Sequence, residues 1–508
     1  MTANTGAFPG AKMLLVALLV SMGGSFHFGY QLVITNPSQD AFLSFLNQSY
    51  IAHYGTILTK GGLESIWSII VALLFVGAIF GSLIINVVAE KAGRKRGLLI
   101  SYAFALLSVV LAVISHFVNS FELYTVSRVT LGFSLGLNLG LSALYLTECS
   151  PKQYRGFISM MTGMMLQFGT VVGSIVAMPS LLGAQNLWWI VYAIEAVVLI
   201  GVLALMPFMH DSPGYLALTG RIEEARDSIL FFHNCSEDEA ELVLLEIKAS
   251  VEENSKSMGM FGIFKDKHAL RGTIVGSMVA FAMAFSGVAV INAFAVEILL
   301  STGLTVMGAS IANVGLTLAG LVSIVVSAFV VDRYGRRPLL LISNVAILIL
   351  NLAIFAFMFS FEKYALPWLG YCLIGAVALF ILFFSIGPGP LSFFITAELV
   401  GLNARSAGQS WASLVQMISR SILIAIYLPM KNSIGNPFSY LILFVAPMIF
   451  SVVFLYFMLP ETKNKDHRQV LDEIENLPSM RSCCQQRMSQ RSRQNSECLQ
   501  LNQIVSTV

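Results

Sequence analysis

The sequence predicts an all-α membrane protein: twelve transmembrane helices in two pseudo-symmetric six-helix bundles, with a helical linker between them on the cytoplasmic side. Three observations predict it. First, 56% of the 508 residues are hydrophobic and only 11% are charged, with a mean hydropathy of +0.78, whereas a soluble protein needs roughly a quarter charged residues. Second, the turn Asp332-Arg333-Tyr334-Gly335-Arg336-Arg337-Pro338 repeats the order of Glu90-Lys91-Ala92-Gly93-Arg94-Lys95-Arg96: acid, base, any residue, glycine, base, base. Each turn sits between apolar runs of helix length, so one membrane unit is written twice. Third, loops on the side of these turns carry Lys91, Arg94, Lys95, Arg96, Lys152, Arg155, Arg333, Arg336, Arg337 and Arg405, against Lys60, Lys363 and Lys431 opposite. Lysine and arginine mark the cytoplasmic side.

The elements follow in order. Residues 1–11 are expected in the cytoplasm. Span 1, at about 12–35, is too long for the core of a signal peptide, and no small-residue cleavage motif follows it. Residues 36–62 then lie outside, where Asn47-Gln48-Ser49 offers a glycosylation acceptor at Asn47. Spans 2 to 6, at about 65–88, 97–117, 121–147, 156–180 and 187–209, can each cross about 30 Å of hydrocarbon. They complete a first bundle at 12–209. Residues 210–269 are the one long polar stretch and read as short amphipathic helices on the cytoplasmic side; Asn234-Cys235-Ser236, falling there, is not expected to be glycosylated. Spans 7 to 12, at about 272–301, 306–331, 338–359, 367–399, 407–429 and 437–459, make the second bundle, 270–459. Residues 460–508 form a largely disordered cytoplasmic tail. The six cysteines lie in apolar runs or cytoplasmic segments, so no disulfide framework is implied.

Within the spans, Gly132, Gly136 and Gly140 stand four apart, as do Gly77 and Gly81, and Gly169 and Gly173. Such spacing lets helix backbones approach closely, and packing is the plainer reading than substrate contact. Gly387-Pro388-Gly389-Pro390 breaks the backbone ladder in mid-membrane, which is tolerated only beside a cavity or a protein neighbour. It reads as a hinge or as a static kink.

Several short patterns occur together and in a fixed order. They are Phe28-Gly29-Tyr30, Gly93-Arg94-Lys95, Ser127-Arg128 with Gly132, Glu148-Cys149-Ser150-Pro151 with Arg155-Gly156, and Gln167 with Gly169. Ser286-Gly287, Asp332 to Arg337, Gly387 to Pro390, Ala397-Glu398-Leu399, Arg405 and Pro460-Glu461-Thr462-Lys463 complete the set. Over about residues 12–463 the chain thereby resembles the major facilitator superfamily, and within it the sugar-porter group that holds the facilitative glucose transporters. The resemblance implies a sugar site between the bundles, opened alternately to each face by rocking. It also implies that Arg94, Glu148, Arg155, Arg333, Arg336, Arg337, Glu398 and Arg405 form ion pairs that hold the cytoplasmic face shut. Charges at helix ends pair when a face closes and hydrate when it opens, so their energy depends on the state. Fixing orientation is the plainer role, and both can hold.

A hexose is an uncharged polyol, held best by amides and hydroxyls over an aromatic face. The candidate substrate residues are Gln167, Asn292, Ser286, Gln416, Phe393, Gln31 and His27. The chain departs from the resembling group here. The glutamine pair expected before Ser286 reads Met283-Ala284, the tryptophan of span 10 is Phe393, and span 11 offers Gln416 and Met417 for an asparagine and a tryptophan. Counting without gaps puts Gly163 and Ala289 at the group's glutamine and asparagine, which leaves the register of spans 5 and 7 open. His210-Asp211-Ser212-Pro213-Gly214 keeps the acid of its motif and loses the arginine. Glu297 and Arg420 are ionisable residues inside spans, costly there without a partner; they either neutralise each other or bind a polar or anionic substrate.

The expected function is passive transport of a hexose or related small polyol by alternating access, in the plasma membrane, with both termini cytoplasmic. Proton-coupled members of the superfamily place an aspartate where Gln31 stands, and an amide carries no proton; His27 is the group there that could titrate near neutral pH. The alternatives are a carrier of a different polar or anionic molecule, and a transporter-like sensor without net flux. An enzyme is not expected, since no nucleophile and base pair, metal cluster or phosphate loop is present. Neither cofactor nor metal is expected. The expected partners are the small-molecule substrate and membrane lipid, and nucleic acid is not one. Arg481, Arg487, Arg491 and Arg493, with serines and Cys483-Cys484, read as a membrane-touching segment or as plain disorder. Ser506-Thr507-Val508 ends the chain as a PDZ groove requires.

Overall fold

Backbone amides in hydrocarbon have no partners except one another, and the described spans are helical accordingly. The computed structural model describes residues 9–35, 37–253, 258–288, 291–292, 305–364, 367–463, 465, 469–470 and 473. Among these residues, 11 helices are long and apolar enough to cross a membrane. Span 7 is described at Lys267–Ala284. The fold is thus all-helical with twelve spans, as expected.

Span 1 comprises Ala11–Gly23 and Ser25–Val33; spans 2 to 6 are Lys60–Leu83, Arg94–Val118, Phe121–Cys149, Arg155–Val176 and Trp188–Leu205. Span 5 stops short of its expected end because Pro179 bars the helix from continuing. Spans 8 and 9 are Val306–Tyr334 and Arg336–Tyr364, span 10 is split into Pro367–Ile386 and Pro388–Leu399, and span 11 is Arg405–Ile434. Span 12 runs from Asn436–Tyr440 through a π-helical turn to Ala446–Met458. The loop after span 1, read from sequence only as mixed, folds into a helix at Gln39–Tyr54. The polar stretch after span 6 forms helices Pro213–Leu218, Ile222–His233 and Glu237–Glu253 around Leu216, Ile229 and Leu244.

Each half has its own core. Tyr30, Phe42, Tyr102 and Trp188 anchor the first and Leu340, Phe380, Phe394 and Phe444 the second. Backbone approach, more than side-chain bulk, joins the spans of the first half. A Cβ built on Gly132 would lie 1.8 Å from Leu74 O, and one on Gly81 2.1 Å from Phe133 O, so spans 2 and 4 touch main chain to main chain. Spans 1 and 5 do the same through Gly29 and Gly169, 1.9 and 2.1 Å from Leu166 O and Phe26 O. Without a hydrophobic drive between helices in lipid, this close packing carries the association.

The helix Ile222–His233 ends on a buried imidazole. Burial first and the Arg155 guanidinium second hold His233 down to about 4, so the folded state favours its neutral form. Its contribution is therefore complete above the unfolded value of about 6.5 and is lost as pH falls from there toward 4.

Two expectations follow. Gly132→Ala should lower stability by about 2–3 kcal/mol, read as a lower melting temperature in detergent, while Gly201→Ala, with nothing within 4 Å of its Cβ, should leave the melting temperature unchanged or slightly raised. Between pH 7 and 5 the wild-type melting temperature should fall, and His233→Gln should flatten that fall by about one proton's slope; equal slopes would remove His233 as the cause.

Candidate functional site

Three spans are broken midway. Span 1 breaks at Gly24, where a Cβ would sit 1.6 Å from Asn138 Oδ1. Span 7 breaks after Ala284 and turns through Gly287 at φ +103. There Ser286 O accepts Asn351 Nδ2 at 2.8 Å, and Asn351 Oδ1 accepts the Tyr440 hydroxyl at 2.8 Å. Span 10 breaks at Gly387, and the freed Ile386 carbonyl accepts the Ser327 hydroxyl. Spans 1 and 7 open the two halves, so their breaks fall at matching places of the repeat.

Between the halves, Phe28 of span 1, Met283 of span 7, Phe393 of span 10 and Met417 of span 11 join one buried cluster. Two strong donors enter it. Gln416 Nε2 lies 3.2 Å and Arg420 Nη2 3.3 Å from Met283 Sδ, and the Arg420 guanidinium stands 5.1 Å over the Phe28 ring. Both side chains are 3% exposed, and Arg420 Nε is buried without a hydrogen-bond partner. A thioether is a weak acceptor. Among the described residues this centre therefore holds donors in excess of its acceptors, which suits a ligand rich in acceptor oxygens.

A second polar chain crosses the first half. Arg128 Nη1 donates to Gln31 Oε1 at 2.7 Å, Gln31 Nε2 donates to Glu195 Oε2 at 2.5 Å, and His27 Nδ1 lies 2.9 Å from Glu195 Oε1. His27 and Glu195 are fully buried. Gln31 thus bridges Arg128 and Glu195, accepting from one and donating to the other through an amide that has no titratable proton. Removing either charge would strand the other, at about 3–5 kcal/mol.

At the face carrying the basic turns, two buried ion pairs lie each within one half. Arg94 Nη2 meets Glu148 Oε1 at 2.9 Å with both side chains buried, and the Ser212 hydroxyl donates to Glu148 Oε2 at 2.5 Å. Asp211 Oδ1 accepts the Lys95 amide at 3.1 Å; burial first pushes this carboxyl up, against the hydrogen bonds that hold it down. In the second half Arg336 forks onto Glu398 through Nε and Nη2, each at 3.2 Å. Glu461 accepts the amides of Arg336 and Arg337 at 2.9 and 3.1 Å, capping span 9. Arg337 Nη2 reaches Tyr456 O, and the Arg333 side chain is exposed. Arg405, at the start of span 11, lies within electrostatic reach of Glu148, Arg155 and Arg94 of the first half and of Glu398 of the second.

Near the basic face a neutral residue, Asn86, joins the halves. Span 2 ends at Leu83 and a short helix restarts at Ile85–Lys91, so the Asn86 amide, in a first helical turn, has no intrahelical partner. It donates to Ser410 Oγ of span 11 at 2.9 Å. The Asn86 side chain reaches Ser406 Oγ at 2.9 Å and Met258 O of the linker at 3.3 Å. Met258 N in turn donates to Asn403 O at 2.8 Å, and Trp411 Nε1 to Met260 O at 2.9 Å.

The other sequence candidates are scattered. Gln167 Nε2 donates across the halves to Thr317 O of span 8 at 3.0 Å. Gly163, its rival for that register, faces Pro390, with 2.5 Å between the built Cβ and the proline Cβ. Ser286 is buried in the span 7 break, its hydroxyl donated to Met283 O at 2.8 Å. Asn292 is half-buried at the described end of span 7, and Glu297 lies outside the described residues. Asn47 is half-buried, and Ser49 of its acceptor pattern takes the Phe121 amide at 2.9 Å. The tail arginines, Cys483-Cys484 and Ser506-Thr507-Val508 lie outside the described residues. Sequence reasoning missed Glu195, Asn86, Asn351 and Tyr440. A carboxylate inside the apolar run of span 6 was the available signal for Glu195.

The family model described as sugar (and other) transporter matches residues 16–473. Solute carrier family 2, facilitated glucose transporter member 7 of Homo sapiens is 28% identical over 459 residues, covering 89% of this chain and 88% of that protein. Member 9 of Homo sapiens is 28% identical over 466 residues, covering 90% and 84%. The proton:xylose symporter XylE of the major facilitator superfamily, bound to 6-bromo-6-deoxy-D-glucose, matches with a TM-score of 0.77 at 20% identity, over 92% of this chain and 99% of that one. The E. coli fucose:proton symporter FucP matches with a TM-score of 0.57 at 14% identity, over 88% and 99%. The twelve helices thus have the major facilitator fold, and a family match running from the first span past the last shows that the chain belongs to the sugar (and other) transporters, as a multi-pass membrane protein.

Proposed function

We propose that the protein carries a hexose or related small polyol passively across the plasma membrane by alternating access, with its basic loops and both termini in the cytoplasm. The observation that carries this reading is the donor-rich centre between the halves. Gln416 and Arg420 offer N–H groups to sugar oxygens, while Phe28 and Phe393 supply aromatic faces. Relatives named as facilitated glucose transporters, and a fold neighbour bound to a deoxyglucose, support a sugar-type ligand. Gln31 supports passive transport, because it stands where proton-coupled members of the superfamily place an aspartate and its amide has no titratable proton. A second reading, an anionic substrate of similar size, is favoured by Arg420, whose guanidinium meets a thioether and an aromatic ring.

Alternating access requires the seam at the basic face to part. The Asn86 contacts are the ones that must break there, together with the links of the linker to span 11.

In proteoliposomes, labelled hexose uptake should saturate, ignore an imposed pH gradient, and fall about tenfold in Gln416→Ala, the loss expected for one hydrogen bond of about 1.4 kcal/mol. Proton-driven accumulation would overturn the passive mechanism, and saturable uptake of an organic anion without sugar uptake would select the second reading. Oxidative cross-linking of an Asn86→Cys, Ser410→Cys pair should cut uptake more than tenfold, with recovery on reduction. Full uptake by the cross-linked protein would show that this seam does not open.

A further inference from the structure

Span 7 and the segment before it build an open groove of about 320 Å³ near the basic face. Phe264, Leu270, Ile274, Met278 and Phe281 line one side, and Trp411 of span 11 the other. The Trp411 indole N–H is held by Met260 O, which fixes the ring as a wall; tryptophan is the residue that suits the boundary between hydrocarbon and water. Phe261 and Phe264 beside it are 75% and 57% exposed, so the chain itself leaves this apolar surface open.

The mouth of the groove is basic. Lys267, Leu270, Arg271, Ile274, Met278 and Phe281 follow one another at spacings of one, three or four, which sets the two cations on the groove's side of span 7, at its basic end. Lys265 flanks them on the preceding turn. All three are exposed, and none has an ion-pair partner among the described residues. The one acid between them, Asp266, is turned to the amides of His268 and Ala269, where it caps the helix. Uncompensated cations above an apolar slot at a membrane surface match a ligand with an anionic head and a hydrocarbon tail. The protein's own tail fits poorly, since beyond residue 480 it carries Arg481, Arg487, Arg491 and Arg493 against Glu497 alone.

We propose that this groove binds one anionic phospholipid, with an acyl chain along Leu270, Ile274, Met278 and Phe281 against Trp411, and the phosphate on Lys267 and Arg271. The inference rests on the membrane placement and needs no assumption about the substrate.

The test is native mass spectrometry of the full-length protein, delipidated in detergent and titrated with phosphatidylserine or phosphatidylcholine. Wild type should retain one phosphatidylserine roughly tenfold better than phosphatidylcholine. Lys267→Ala with Arg271→Ala should abolish that preference while leaving chain binding. Ser277→Trp, which fills the groove and keeps the cations, should weaken both lipids several-fold. A wild type without preference, a double variant that keeps it, or a filled groove that binds as before would each overturn the proposal. A diazirine-tailed phosphatidylserine should label residues 267–281 or 411–415; labelling confined to the C-terminal tail would also overturn it. Since no substrate is read in any arm, failure here leaves the transport reading standing.

Discussion

A polar group without a partner in hydrocarbon costs several kilocalories per mole, so every interruption or charge inside these spans has to bring its compensation with it. The span 10 break offers Ile386 O to the hydroxyl of Ser327. The span 7 break offers Ser286 O to Asn351, which is itself oriented by Tyr440 from span 12. The carboxylate of Glu195 meets an amide and an imidazole, and through that amide a guanidinium. Each compensation comes from another span, so the breaks that give the molecule its interior also fix which spans are neighbours.

Magnitudes explain how charge is divided between the halves and the seam. A buried ion pair that loses a partner costs about 3–5 kcal/mol, whereas a neutral hydrogen bond contributes about 1 kcal/mol net. Arg94 with Glu148, and Arg336 with Glu398, join helices within one half, where nothing needs to separate. Asn86 crosses between halves with amide and hydroxyl groups alone. Under the alternating access proposed above, these neutral bonds would part for a few kilocalories per mole while the ion pairs within each half stay closed.

The fold was legible because its signals are long-range and redundant: a repeated charged turn, a one-sided excess of arginine and lysine, and apolar runs of spanning length. The span 10 break was legible from two glycines and two prolines in series. The breaks of spans 1 and 7 were not, because Gly24 and Gly287 look like the many packing glycines and their meaning lies in Asn138 and Asn351, far away in the chain. Arg94 and Arg336, both singled out in the sequence, pair with Glu148 and Glu398 of their own halves, since pairing depends on which helix ends abut. Asn86 gave no sequence signal, as its role comes from a helix restart that frees one amide. In span 5 both residues that counting left open face the other half: Gly163 is where Pro390 presses close, and Gln167 donates its amide to Thr317 O.

The centre shows how a departure from a motif can carry information of its own. Met283 stands where the resembling group places one of two glutamines, and the donors of Gln416 and Arg420 converge on its sulfur. An amide there would have offered both an acceptor to these donors and a donor to a ligand; the thioether gives only a weak acceptor. At a ligand site of the kind proposed above, binding would gain little from the ligand's own hydroxyl protons and much from its oxygens. Sites built around polar groups that a ligand must satisfy discriminate far more strongly than apolar pockets do. Selectivity at this centre should accordingly track how many acceptor oxygens a ligand can bring to Gln416 and Arg420 at once, and ring shape should matter mainly through its fit to Phe28 and Phe393.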